Sequence, residues 1–175
     1  LNLALMQAGK ADEALAMMDD WLKKNPDDAV IMNQLAHHRA VRGEDALSAE
    51  SYEKLVEQFP NDVIALNNLA WALRESDTKR ALEFVDTALE QAPGNPSVTD
   101  TRAMVLMHDG RYDESLRLLD RLIENLGEVP PVMFHKAQVL VTAGRSDEAR
   151  SILESLVEGT PFPEQQQART LLEGL

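Results

Sequence analysis

The chain is 175 residues long, 44% apolar and 27% charged, with 17 Lys and Arg against 30 Asp and Glu, a formal charge of −13. That apolar share can fill a core, which excludes bulk disorder, and no run approaches the roughly 18 apolar residues that a membrane span needs. With Cys at 0, disulfide frameworks, thiol nucleophiles and thiolate-held metals are excluded, and the acid excess argues against a nucleic-acid binder, whose surface must neutralise phosphates. Apolar spacing between turn residues predicts helices, in chain order, near 1–8, 12–25, 29–42, 46–59, 63–75, 78–91, 96–109, 113–126, 130–143, 147–159 and 163–173. Sustained period-two alternation is absent and the connections are short, so the fold class is all-α.

Two series of breakers organise these helices. Gly9, Gly43, Asp77, Gly110 and Gly144 are 34, 34, 33 and 34 residues apart, and Pro26, Pro60, Pro93, Gly127 and Pro161 step by 34, 33, 34 and 34. Each unit therefore holds two helices, joined by a tight turn at the first series and closed before the second. Gly suits the turn because it enters the left-handed region without a side-chain clash. Asp77 is read as a substitute that tolerates the same backbone, and the one-residue deletion is placed between Asp77 and Pro93. Pro suits the second break because it lacks the N–H that would continue a helix. Acids follow the turn at Asp12-Glu13, Asp113-Glu114 and Asp147-Glu148, where they complement the helix N-terminus.

Small residues recur within the units. Ala36, Ala70, Ala103 and Ala137 fill one position of the first helices, and Ala14, Ser48, Ala81, Ser115 and Ala149 fill one of the second helices. Small side chains at both places let two helix backbones approach closely. In this pattern the chain resembles the tetratricopeptide repeat family, whose unit is a 34-residue helix–turn–helix. The resemblance covers Leu1 to about Pro161 and implies a right-handed α-solenoid of about five units, near 1–28, 29–62, 63–95, 96–129 and 130–162, in one domain. Glu164 to Leu175 is expected to form a capping helix, with Gln165, Gln166 and Gln167 on its exposed side.

Departures from the family pattern carry expectations of their own. The bulky first-helix position holds Met32, Leu66 and Met133 but Thr99 in the fourth unit. Arg102 and Lys136 stand where Leu is usual, so the last two first helices are expected to pack less tightly. Leu1 falls in the middle of what should be a first helix, so the chain is expected to continue upstream, where a leader or anchor would lie. The run from Ala65 to Trp71, followed by Ala92-Pro93-Gly94-Asn95-Pro96, resembles bacterial repeat lipoproteins of exopolysaccharide and PEP-CTERM export. That narrower resemblance implies a periplasmic or envelope-associated setting.

In such repeats the first helices line a concave face, where the family binds peptides. Projection of the helices puts Asn33, Gln34 and His37 there from the second unit and Asn67, Asn68, Trp71 and Arg74 from the third. The fourth unit contributes Asp100, Thr101, Met104 and His108, and the fifth Phe134, His135 and Gln138. Asn33, Asn67 and Asp100 share one place in successive units and form a polar ladder. Amide side chains carry both donor and acceptor, and such a ladder grips the backbone of an extended peptide whatever its sequence. Trp71, Met104 and Phe134 are expected to add apolar anchoring surface.

Catalytic and metal readings find less support. His37 and His38 are neighbours pointing about 100° apart on a helix and cannot chelate one ion together. Ser48 and Ser115 occupy small packing positions rather than a nucleophile's place. Glu50–Lys54 is spaced as a solvated helix pair, Arg117 and Arg121 flank Glu114, and Gly94 and Gly127 are isolated rather than part of a phosphate loop. Arg74 is the one clear groove cation, too few for a carboxylate clamp of Lys and Arg. The reading is therefore a non-catalytic scaffold that binds a peptide or protein segment, with no cofactor, no nucleic-acid partner and no membrane insertion by this segment. The alternatives are a homo-oligomer formed through Leu1, Leu3 and Leu5, or the interaction part of a larger enzyme.

Overall fold

A computed structural model describes Leu5 and residues 9–175. Of the expected first helix only Leu5 is described, helical and half-buried; Leu1 and Leu3 of the self-association reading lie outside the described residues. Among the described residues the structure is helical without strands, as the apolar spacing predicts. The helices are α1 (Ala11–Leu22), α2 (Ala29–Val41), α3 (Asp45–Gln58), α4 (Val63–Leu73), α5 (Thr78–Gln91), α6 (Pro96–His108), α7 (Tyr112–Leu126), α8 (Pro130–Thr142), α9 (Ser146–Glu158) and α10 (Gln165–Glu173). They fall into two compact units, Leu1–Ala92 and Pro93–Leu175, and the division coincides with a breaker of the proline series.

In the first unit each helix packs on the next, and the first helices α2 and α4 also touch. The small positions explain how closely the pairs meet. Ala14, Ala36, Ala70 and Ala81 are wholly buried, as is Ser48, whose Oγ donates to the carbonyl oxygen of Ala36 at 2.9 Å. Larger apolar side chains fill the space around these crossings, among them Met18, Leu35, Tyr52, Leu66, Leu69 and Val85. The first helices start on side-chain caps. Asp28 accepts from the Ile31 N–H and Asp62 from those of Ile64 and Ala65, satisfying amides that have no partner within the helix.

The second unit repeats the plan, with contacts along α6–α7–α8–α9–α10 and between the first helices α6 and α8. Ala103, Ala137, Ser115 and Ala149 are again wholly buried, and Ser115 Oγ donates to the Ala103 carbonyl at 2.6 Å. Arg102 itself is half-buried on α6. Val98, Thr101 and every residue from Ala103 to Met107 are buried, because this helix is covered from more than one side. Lys136 keeps a half-buried stem while its ammonium reaches Asp120 on α7 at 2.6 Å. On α10, Gln166 and Gln167 are exposed as expected but Gln165 is not. Its amide donates to the carbonyls of Leu156 and Val157, which lie in the last turns of α9.

The turns correct one sequence assignment. At Gly43, Gly110 and Gly144 the backbone is left-handed, with φ of 74°, 76° and 75°. Each helix there closes by paired bonds: Glu44 N–H to the Arg39 carbonyl with Gly43 to Ala40, Arg111 to Leu106 with Gly110 to Met107, and Arg145 to Leu140 with Gly144 to Val141. This is the Schellman arrangement, and it needs a residue with positive φ. Asp77 has φ −149°, and its side chain accepts from the Arg80 N–H as the cap of α5. It aligns with the cap residues Lys10, Glu44, Arg111 and Arg145, not with the glycines. The residue deleted from this unit is the turn glycine itself, between Ala70 and Asp77 rather than between Asp77 and Pro93. Asp77 N–H accordingly closes directly on the Leu73 carbonyl, four residues back.

Candidate peptide-binding faces

In the first unit the face combines side chains of α2 and α4. Asn33 is half-buried, while Gln34 and His37 are exposed one residue and one turn further along α2. On α4, Asn67 and Asn68 are half-buried, and Asn68 Nδ2 donates to the hydroxyl of the buried Tyr52 on α3 at 3.1 Å. Asn67 Nδ2 lies 3.5 Å from Asn68 Oδ1, and Asn67 Oδ1 is buried without a hydrogen-bond partner in the protein. Tyr52 sits on a second helix, so reading only the first helices missed its hold on Asn68.

Trp71 is half-buried with the Arg74 guanidinium carbon 4.5 Å from its ring centroid, a cation–π arrangement that stiffens both side chains. Arg74 also donates to the Trp71 carbonyl at 2.7 Å, to Asp45 at 3.2 Å and to Glu75 at 3.1 Å. Its charge is therefore matched within the unit. Arg39, behind this face, makes a two-toothed pair with Asp19 at 2.8 and 2.9 Å and donates to Ser51 Oγ at 3.0 Å, tying α2 to α1 and α3.

In the second unit the residues named from sequence divide. Asp100 and His135 are brought together, with both carboxylate oxygens at 3.0 and 2.8 Å from His135 Nδ1, so the pair links α6 to α8. His108 is exposed and Gln138 half-buried. Thr101, Met104 and Phe134 are only 5%, 3% and 2% exposed. Phe134 packs against Phe162 with ring centroids 6.3 Å apart, so these three side chains support the face from beneath instead of offering anchors on it. Phe134 occupies the ladder position of Asn33, Asn67 and Asp100, and the ladder ends there in a buried ring.

Among the described residues no group of three or more His, Asp or Glu is placed to hold a metal, and no helix is long and apolar enough to cross a membrane. His37 and His38 have ring centroids 5.8 Å apart, and burial, followed by the charge of His37, pulls the His38 pKa below the usual histidine value. Acids at the second-helix starts are drawn into forks with the cap residue three positions earlier. Arg111 holds Glu114 at 2.7 Å and Arg145 holds Glu148 at 2.6 Å, which keeps both carboxyls below their ordinary pKa.

Models of the tetratricopeptide repeat match residues 3–62 and 33–96 and, in a second version, residues 72–128 and 106–172. The chain is 30% identical over 116 residues to cellulose synthase operon protein C of Pseudomonas fluorescens, a match covering 66% of this chain and 9% of that protein's length. A tetratricopeptide repeat protein of Parabacteroides merdae superposes with TM-score 0.88 at 20% identity, covering 99% of this chain and 68% of that one. PilW, a type IV pilus biogenesis factor, superposes with TM-score 0.73 at 17% identity, covering 99% and 86%. The chain belongs to the tetratricopeptide repeat family, whose helical repeats in general serve as scaffolds for protein–protein interaction.

Proposed function

We propose that this chain is a non-catalytic scaffold that binds an extended protein segment on the first-helix faces of its units. The observation that carries the reading is the recurrence of half-buried amide side chains at one helix position, Asn33 and then Asn67, beside a Trp71 ring held by Arg74. Amides at a fixed repeat spacing meet the alternating donors and acceptors of an extended backbone, and preformed helices leave most of the ordering cost to the ligand. A role in assembling the bacterial envelope or exporting exopolysaccharide is the biological setting we favour. The sequence likeness to cellulose synthase operon protein C supports that setting.

The test uses the full chain, immobilised and panned against a random peptide library. Peptides retained by the parent are measured by fluorescence anisotropy against the double variant Asn67→Ala/Trp71→Ala. Weakening by tenfold or more with an unchanged helical circular dichroism spectrum is expected. Unaltered affinity for every retained peptide overturns the assignment of this face.

A further inference from the structure

A cleft of about 490 Å³ lies between the second helices α1 and α3 of the first unit, with Met32 and Leu35 of α2 at its base. One wall is a two-turn stripe of α3, formed by Leu47, Glu50, Ser51 and Lys54 at the i, i+3, i+4 and i+7 spacing of a single helix face.

Two positions on this cleft reverse the pattern of the other units. Arg39 stands at the place of Leu73, Leu106 and Leu140, all of which are buried. Leu47, 45% exposed, stands at the place of Arg80, Glu114 and Glu148, whose charges are matched in ion pairs. The inner position is charged and the outer one apolar. Ser51 completes the change where the other units hold Phe84, Leu118 and Ile152, and its Oγ accepts from Arg39 at 3.0 Å. Folding alone accounts for neither replacement, because Leu at the inner place and a charge at the outer one would serve it as well or better.

Arg39 gives two bonds to Asp19 and one to Ser51, and its Nε–H makes none among the described residues. Lys23 and Lys54 stand on opposite walls, engaged with Asp20 and Glu50 in exposed pairs that a nearer carboxylate displaces at little cost. Cations Lys23, Arg39 and Lys54 outnumber the acids Asp19 and Glu50 in the lining, a local reversal in a chain of net charge −13. An incoming carboxylate therefore finds charge-assisted donors, and an aliphatic neighbour leaves water against Leu22 and Leu47.

We propose that this cleft docks one face of a partner protein's helix, on which an acidic side chain lies between aliphatic ones. The carboxylate reaches Arg39, and the aliphatic groups rest on Leu22 and Leu47. The two-turn wall of α3 matches the i, i+3 and i+7 row that such a helix presents. This surface belongs to the second helices, so it goes beyond the reading of the first-helix faces and does not depend on it.

The experiment titrates the ¹⁵N-labelled full chain with terminally blocked alanine-based peptides of about eighteen residues, long enough to be helical in water. They carry Leu, Glu and Leu at i, i+3 and i+7. Matched peptides replace the Glu with Gln or Lys, and one places Pro in mid-helix. The Glu peptide is expected to shift the Arg39 Nε–H signal and to bind at least tenfold more tightly than the other three. Two variants restore the residues of the other units and so keep the fold. Arg39→Leu is expected to erase the preference for Glu, and Leu47→Glu to weaken binding about tenfold. Asn67→Ala/Trp71→Ala is expected to leave it unchanged. Equal binding of the Glu and Lys peptides, or no binding by any of them, overturns the proposal. So does binding that survives Arg39→Leu and Leu47→Glu but is lost in Asn67→Ala/Trp71→Ala, a result that leaves the first-helix reading standing.

Discussion

Ser48 Oγ donates to the carbonyl oxygen of Ala36 at 2.9 Å, twelve residues back and across a helix pair, with both residues wholly buried. Ser115 and Ala103 repeat the contact at 2.6 Å in the second unit. The small positions therefore do more than allow close approach, because in two of the pairs a hydroxyl joins the two helices. Ser48→Ala is expected to cost about 1 kcal/mol, the net worth of a hydrogen bond. Ala36→Leu must push the helices apart and is expected to cost about 1–3 kcal/mol. Urea denaturation of both variants checks the order, and equal midpoints would remove the close approach as the cause.

The turn between α4 and α5 makes a prediction opposite to the sequence reading. If Asp77 stood in for a turn glycine, Asp77→Gly would be neutral or stabilising. Because Asp77 caps α5 instead, that change is expected to destabilise by a few tenths of a kcal/mol, and Asp77→Ala by about 1 kcal/mol. Gly110→Ala is expected to cost about 1–2 kcal/mol through its positive φ alone, since nothing lies within 4 Å of the added methyl. Thermal melts of the three variants decide between the readings.

Asp100 and His135 tie two first helices of the second unit together, with side chains 19% and 14% exposed. A double-mutant cycle of Asp100→Ala and His135→Ala is expected to show a coupling of about 1 kcal/mol. Additive single losses would mean that the pair contributes nothing beyond its separate packing.

His38 sets an acid dependence. Burial disfavours its charged form first and the charge of His37 second, so its pKa in the folded chain lies below the ordinary value of 6.5. The unfolded chain therefore takes up the proton more readily. Stability is complete above about pH 6.5 and declines as pH falls from there toward the folded-state pKa. His38→Gln is expected to flatten the fall of Tm between pH 7.5 and 5.5. Parallel curves for variant and parent would remove His38 as its source.

Much of this molecule was legible in the chain by itself. The 34-residue period, the turn glycines and the buried small residues all express local rules of helix stop and crossing, and Ala36, Ala70, Ala103 and Ala137 were identifiable because their spacing repeats. The steps of 34 from Ala36 to Ala70 and 33 from Ser48 to Ala81 confine the deletion to the stretch between Ala70 and Ala81, and the cap geometry of Asp77 puts it before that residue. What only the tertiary structure decided was the surroundings of each equivalent position. Periodicity makes Phe134 the counterpart of Asn67, but Phe162 packs against one and the Tyr52–Asn68 pair lies beside the other. Exposure depends on which neighbours arrive from elsewhere in the fold, and a repeat period constrains only the helix on which the residue sits.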